Sequence, residues 1–341
     1  MKASREFAEL RGPILRSVSR SFYLSLRLLP TTLRDPLSLA YLLARATDTI
    51  ADTSAAPVKL RAEALRDLAG AIAGTAPNDL VAPWRNSFAA LQTNEAERAL
   101  IEALPAALEW LESTENDDRR EIRNVLKKIT EGQALDLERF GAGGGVRALE
   151  TAAYLDEYTY LVAGCVGEFW TRICFAHIKN FSDRPEAEML EFGVRYGKGL
   201  QLINILRDLG ADLQEGRSYL PAEELHSLGI APEEILRNSA RVEPLVRQWR
   251  EKAERGVEAG IDYACAIRNR RIRFATALPA LIGARTLALL SEAGGEVFAR
   301  RIKVSRAEVR RIMASTALAS PKSLRATFQK LQGAAVSKPP S

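Results

Sequence analysis

Two segments of the chain each carry a pair of aspartates four residues apart in an otherwise apolar stretch: Asp48 and Asp52 in ARATDTIAD, Asp208 and Asp212 in INILRDLGAD. On a helix this spacing puts both carboxylates on one face, one turn apart. Like charges so placed repel, and the pair costs stability unless solvent or a cation screens it. Magnesium suits such a pair, because it takes oxygen ligands and is commonly held by one or two carboxylates together with waters and substrate phosphates. Manganese is a plausible substitute on the same oxygen ligands. Arg45 lies three residues before Asp48 and Arg207 directly precedes Asp208, so each pair has a guanidinium able to grip phosphate oxygens bidentately. Two such helices facing each other would form a mouth where cations bridge carboxylates to a diphosphate and withdraw charge as it leaves. That is the chemistry of ionising an allylic diphosphate. Taken singly, either pair reads as surface aspartates, and Arg45 as an intrahelical partner of Asp48; the joint occurrence points to chemistry.

The elements that must position these residues are helices. The 341 residues are 47% hydrophobic, 7% aromatic and 27% charged, and visibly rich in Ala, Leu, Arg and Glu, which lose little rotamer freedom in a helix. Helical periodicity recurs over residues 33–51, 58–73, 95–113, 119–140, 152–176 and 187–212, and no strand-like alternation is visible. Punctuation falls at Pro30 and over 52–57, 76–83, 141–145, 182–185 and 210–221. No stretch reads as an interdomain linker. The expectation is an all-α, single-domain bundle around a central apolar cavity over residues 1–333, with a frayed tail over 334–341.

The formal net charge of +5 suits nucleic acid, an anionic membrane or a polyphosphate substrate, and does not choose between them. Cys165, Cys174 and Cys265 form no C-x-x-C pair, and with two histidines, His177 and His226, neither a zinc site nor disulfides are expected, consistent with a reducing cytoplasm. The N-terminus has no signal-peptide core, and the longest uncharged apolar run, 274–284, falls short of the ~18 residues of a membrane span. Membrane contact, if any, is expected to be peripheral, at the inner face, for release of an apolar product. The run GAGGG (141–145) lacks the Lys and Ser or Thr of a phosphate-binding loop and reads as a helix connection. The cluster RNRRIR (268–273) reads as a solvated basic face rather than a nucleic-acid site.

Several segments resemble the squalene/phytoene synthase family. YLLARATDTIAD, ending at Asp52, resembles the first aspartate-rich motif of its squalene synthases, and SRSFYLSLRLLP, beginning at Ser19, resembles the family's S-R-S-F segment. GLQLINILRDLGADLQEGRSYLP, beginning at Gly199, looks like the second aspartate-rich motif with its following G-R-x-Y-L-P turn. YTYLVAGCVGEFW, beginning at Tyr158, is similar to the family's Y-x-x-x-V-A-G-x-V-G helix, with one departure: eukaryotic squalene synthases carry a tyrosine just before V-A-G, where this chain has Leu161. FATALPALIGARTLALL resembles an A-I-P-containing helix, with Phe274 one residue out of place, and RRIKVSR resembles the V-K-x-x-R segment near an NADPH site.

The resemblance implies an isoprenoid synthase fold that joins two farnesyl diphosphates head to head. One ionises at the metal, the double bond of the other attacks, and presqualene diphosphate forms; ionisation of that intermediate and hydride from NADPH give squalene. It implies metal binding at Asp48, Asp52, Asp208 and Asp212. Diphosphate would be bound by Ser19, Arg20, Ser21, Tyr41, Arg45, Gln201, Asn204, Arg207 and Tyr219. The isoprenoid tail would lie on Phe22, Val162, Ala163, Gly164 and Leu200, and NADPH on Arg45, Lys303 and Arg306. Tyr158, or its neighbour Tyr160, would orient the leaving group or relay a proton in place of the tyrosine missing at Leu161. Aromatic faces such as Phe22, Tyr41 or Phe169 could steady a carbocation, and the pocket must exclude water. Dehydrosqualene, phytoene or hydroxysqualene formation without NADPH is the alternative within the fold, and a non-catalytic helical adaptor for RNA or membranes the alternative outside it.

Overall fold

The computed structural model describes residues 2–19, 22–141 and 144–333. Arg20 and Ser21, expected at the diphosphate, and the tail 334–341 lie outside the described residues, as does the side chain of Phe22. The architecture is all-α, with two short strands among the described residues. The chain expected as one domain over 1–333 divides into two compact units: residues 1–142 with 172–178, and residues 143–171 with 179–341. The helix Cys165–His177 contributes to both.

In the first unit the central element is Thr31–Asp52, which buries Leu33, Leu42, Leu43, Ala46 and Ile50. From Leu42 to Ile50 the buried apolar positions share one face, while residues 36–40 are buried all round. The Arg61 side chain donates to the Ala51 carbonyl at 2.8 Å, satisfying an otherwise unpaired acceptor at the helix end. The next helix, Val58–Ala73, ends at Gly74 with φ 74°, a left-handed cap that glycine takes without steric cost. Residues 95–113, expected as one helix, form two, Glu95–Glu102 and Leu104–Ser113. Pro105 is the reason: it has no N–H to give the preceding turn and its ring clashes with that turn's carbonyl, yet it suits the first turn of a new helix.

In the second unit Glu186–Gln214 is packed by Ser239–Ala266, Arg270–Ala293 and the segment around residues 160–171. Its neighbours approach at backbone distance. A Cβ placed on Gly167 would stand 2.0 Å from the Gly193 carbonyl oxygen, and one on Gly199 would stand 2.7 Å from the Gly256 Cα. Only glycine fits such contacts. The helix runs through Gly210, which lies in the overlap of the expected helix 187–212 and the punctuation 210–221, and continues to Gln214. Residues 152–176, expected as one uniform helix, contain a π-helical turn at Tyr160–Gly164 between Ala152–Thr159 and Cys165–His177.

The prediction of no strands fails locally. Arg147–Leu149 and Arg217–Pro221 pair in parallel, with Arg147 opposite Arg217 and Ala148 opposite Ser218. A three-residue strand is too short to show alternation. The run 141–145 leads into it, with Gly144 and Gly145 at φ 101° and 118°. The basic cluster 268–273 opens Arg270–Ala293: the Asn269 side chain accepts from the Arg271 and Ile272 amides, Arg270 and Arg271 are exposed, and Arg273 turns back to donate to the Ile267 carbonyl. The stretch Arg270–Phe298 passes the length and apolarity test for a membrane span with a mean hydropathy of 1.5, but 72% of its apolar window is buried inside the protein, as a core helix requires.

Gly167→Ala should destabilise the protein by about 2–3 kcal/mol in urea denaturation, because the added methyl overpacks a backbone contact. Gly12→Ala, where nothing lies within 4 Å of the new Cβ, should be neutral or mildly stabilising.

Candidate active site

Asp48 and Asp52 occupy the last turn and a half of Thr31–Asp52. Carboxylates there face the negative end of the helix dipole, an environment that favours cations. Arg45 donates to Asp48 Oδ2 at 2.5 Å with one arm, and its other arm engages Glu97 from the helix Glu95–Glu102. Glu97 is placed by the Asn94 cap, whose side chain accepts from the Ala96 amide at 3.0 Å. Although 42% of the Asp48 side chain stays exposed, withdrawal from water, and then the like charge of Asp52, outweigh Arg45 and push its carboxyl up to about 6. Asp52 is exposed. Tyr41 donates its hydroxyl to the Val18 carbonyl at 3.2 Å. Ser19 is buried, its hydroxyl turned back to the Leu15 carbonyl of its own helix rather than outward.

Asp208 and Asp212 sit in the corresponding place, the final two turns of Glu186–Gln214. Gln201, Asn204 and Asp208 follow one another along its polar face, with the Asn204 amide donating to Gln201 Oε1 at 3.2 Å. Arg207 donates to both Asp208 oxygens, at 2.9 and 2.7 Å, and Arg301 grips the same carboxylate from a distant segment. Burial opposes ionisation of Asp208, but the Arg207 hydrogen bonds and charge, joined by Arg301, outweigh it and hold the carboxyl below the usual range. Asp212 differs: burial is its largest influence and Arg217, 3.5 Å away, compensates only in part, so its carboxyl rises to about 6.

The strand Arg217–Pro221 carries Tyr219 against Tyr158. Their rings stack at 5.0 Å between centroids and their hydroxyls lie 3.4 Å apart, both side chains buried. Tyr160 instead donates to Glu168 Oε2 at 2.8 Å. Val162, Ala163 and Leu200 are half-buried. Gly164 serves close helix packing: a Cβ there would meet the Tyr160 ring at 3.0 Å and Lys198 Cγ at 3.1 Å. Lys303 and Arg306 are exposed, and Arg306 opens the helix Arg306–Thr316 behind a Ser305–Glu308 capping box.

A family model for squalene/phytoene synthase matches residues 15–308. The chain belongs to the squalene/phytoene synthase family. It is 31% identical over 228 residues to a presqualene diphosphate synthase of Rhodopseudomonas palustris, covering 67% of this chain and 66% of that one. It is 27% identical over 271 residues to a 15-cis-phytoene synthase of Synechocystis, covering 74% and 70%. The chain thus spans about two thirds of the length of these relatives. Its fold is similar to that of TcSQS in complex with the ligand BPH1237, with a TM-score of 0.77 at 20% identity over 99% of this chain and 93% of that one. As a squalene/phytoene synthase family member the protein is a prenyltransferase-type enzyme of isoprenoid biosynthesis.

Donor chemistry decides whether these residues suit the divalent metal that family members use. Among the described residues no group of three or more His, Cys, Asp or Glu could hold a metal by itself. Each aspartate pair offers what a magnesium site requires of a protein when phosphate oxygens and water complete the shell, and each lies at a helix end that disfavours its unscreened charge. The residues fit. Glu97, Arg217 and Arg301 were not singled out from the sequence, although Arg217 lies inside the quoted G-R-x-Y-L-P turn and Arg301 inside RRIKVSR. A cavity of about 480 Å³ in the first unit, walled by Arg11, Tyr23, Leu26, Arg27 and Arg34, contains none of the predicted site residues.

The folded Asp212 carboxyl holds its proton more tightly than the unfolded one, so between about pH 4 and 6 the folded state binds more protons and loses stability as pH rises. In metal-free buffer Asp212→Asn should therefore gain about 1–2 kcal/mol at pH 7.5 and almost nothing at pH 4. Urea melts at the two pH values measure this, and an equal effect at both would contradict it.

Proposed function

We propose that the protein joins two farnesyl diphosphates head to head into presqualene diphosphate, and that both acidic helix ends serve this reaction. The observation that carries the reading is the duplication itself: two carboxylate pairs, each at a helix C-terminus and each with its own arginine, for two diphosphates. Bound magnesium, or manganese in its place, would draw charge from the departing diphosphate. Asp48 with Asp52, and Asp208 with Asp212, would hold the cations, with Arg45 and Arg207 beside them as guanidiniums for phosphate oxygens. In the condensation one C–O bond breaks and diphosphate leaves, the π pair of the acceptor's double bond makes one new carbon–carbon bond, and the C–H pair left by the departing proton closes the second. The stacked hydroxyls of Tyr158 and Tyr219 are suited to pass that proton or to orient the leaving group. The reaction requires that water be kept from the cation.

Reduction of presqualene diphosphate to squalene is the fuller reading that the C-terminal resemblances support. NADPH, when bound, would supply the hydride, and Lys303 and Arg306 offer exposed positive charge for its phosphates. Two observations favour a reaction that stops at the cyclopropyl diphosphate: the presqualene diphosphate synthase relative, and Leu161 in the place of the eukaryotic tyrosine. Cytoplasmic placement with peripheral membrane contact accords with an apolar product.

Incubation with farnesyl diphosphate and Mg²⁺, with and without NADPH, should give presqualene diphosphate in both cases. Squalene only with NADPH would establish the fuller reading, and phytoene or dehydrosqualene would overturn the assignment. Chelation should abolish turnover and Mg²⁺ restore it. Asp48→Asn and Asp208→Asn should each lower kcat at least about a hundredfold while remaining folded. Retained turnover in both would sink the metal reading.

A further inference from the structure

Asp208 is neutralised twice. Arg207 grips it along the same helix, and Arg301, 93 residues away, adds a second fork through Nε and through Nη2 at 2.7 Å. Arg301 stands at the start of the irregular segment 301–305, between the 3₁₀ turn Gly294–Phe298 and the helix Arg306–Thr316. The path of that turn is set by Gly210, midway between the two aspartates. A Cβ at Gly210 would stand 2.6 Å from the Phe298 carbonyl oxygen and 3.1 Å from that of Val297. Glycine therefore lets the turn rest on the helix, where buried Val297 and Phe298 anchor it, and the chain delivers Arg301 to Asp208 three residues later. The Arg301 side chain remains 45% exposed, against 27% for Arg207. It can swing into solvent without unpacking the core.

A divalent cation that takes an Asp208 oxygen must displace at least one of these guanidiniums, and Arg301 is the less confined. We propose that Arg301 is a displaceable counter-cation: it holds Asp208 in place before metal binds, yields the carboxylate to the cation, and then offers its freed guanidinium to the phosphate oxygens of the ligand. This rests on the reading of Asp208 as a metal carboxylate. It makes Arg301 a competitor of the bare metal and an ally of the metal–diphosphate pair, so its removal must act in opposite directions on the two.

Calorimetric titration of the full chain separates these effects. Arg301→Ala should bind Mg²⁺ alone about three- to fivefold more tightly, since a competing ion pair is gone. With Mg²⁺ saturating, it should bind inorganic pyrophosphate about tenfold more weakly, since a charge-assisted fork is lost. A merely structural role would weaken both. Arg301→Lys, which keeps the charge but not the fork, should fall between the native protein and Arg301→Ala in both titrations. Gly210→Ala, which lifts the turn, should shift both affinities in the same directions as Arg301→Ala; if it fails to fold, the two arginine variants decide. If Asp208→Asn takes up Mg²⁺ as the native protein does, the metal reading and the counter-cation role fall together. If native uptake depends on Asp208 but Arg301→Ala leaves Mg²⁺ affinity unchanged or weaker, only the counter-cation role falls.

Discussion

The second unit depends on a backbone contact. Glu186–Gln214 approaches the segment 160–171 and the helix Ser239–Ala266 at glycine, with no side chain between the main chains. A helix held this way cannot slide or rotate without a clash, because interiors are packed too densely to absorb the shift. Gln201, Asn204, Arg207, Asp208 and Asp212 thus inherit fixed positions from residues that do no chemistry. The strand pair of Arg147–Leu149 with Arg217–Pro221 does the same for Arg217 and Tyr219, bringing one to Asp212 and the other to Tyr158.

On this rigid frame the carboxylates are deliberately unequal in their surroundings. Asp208 is overcompensated by two arginines and ionises readily, whereas Asp212, one turn on, is undercompensated and resists its charge. Asp48 repeats the second condition beside Asp52. Such a set is stable as built only by sharing protons or counter-ions, and it gains most from a ligand that brings concentrated positive charge. The helix ends strengthen that demand, since both pairs lie where the backbone dipole is negative.

Much of this was legible in the residues. The 3.6-residue rhythm located Val58–Ala73 to the residue and Glu186–Gln214 within two, and the spacing of the aspartates placed each pair on one helical face. What escaped notice was non-local or very short. Glu97 meets Arg45 from 52 residues away and Arg301 meets Asp208 from 93, and no local pattern encodes such pairings. Gly210 fell where the expected helix 187–212 and the expected break 210–221 overlap; tertiary contact decides for the helix against glycine's low propensity. Pro105 marks the division of 95–113, but the apolar rhythm runs across it and hides the break. The inward turn of the Ser19 hydroxyl was hidden for another reason: motif position says which residue is present, not which rotamer it adopts.

The π-turn at Tyr160–Gly164 has a bearing on how tyrosines are matched across relatives. An extra residue in one turn offsets the angular phase of everything before it by about 100° relative to everything after it. Counting back from V-A-G and counting forward from the preceding helix therefore arrive at different sides of the rod. In this chain Tyr158, stacked on Tyr219, stands before the turn and Leu161 within it, so the two positions face different sides.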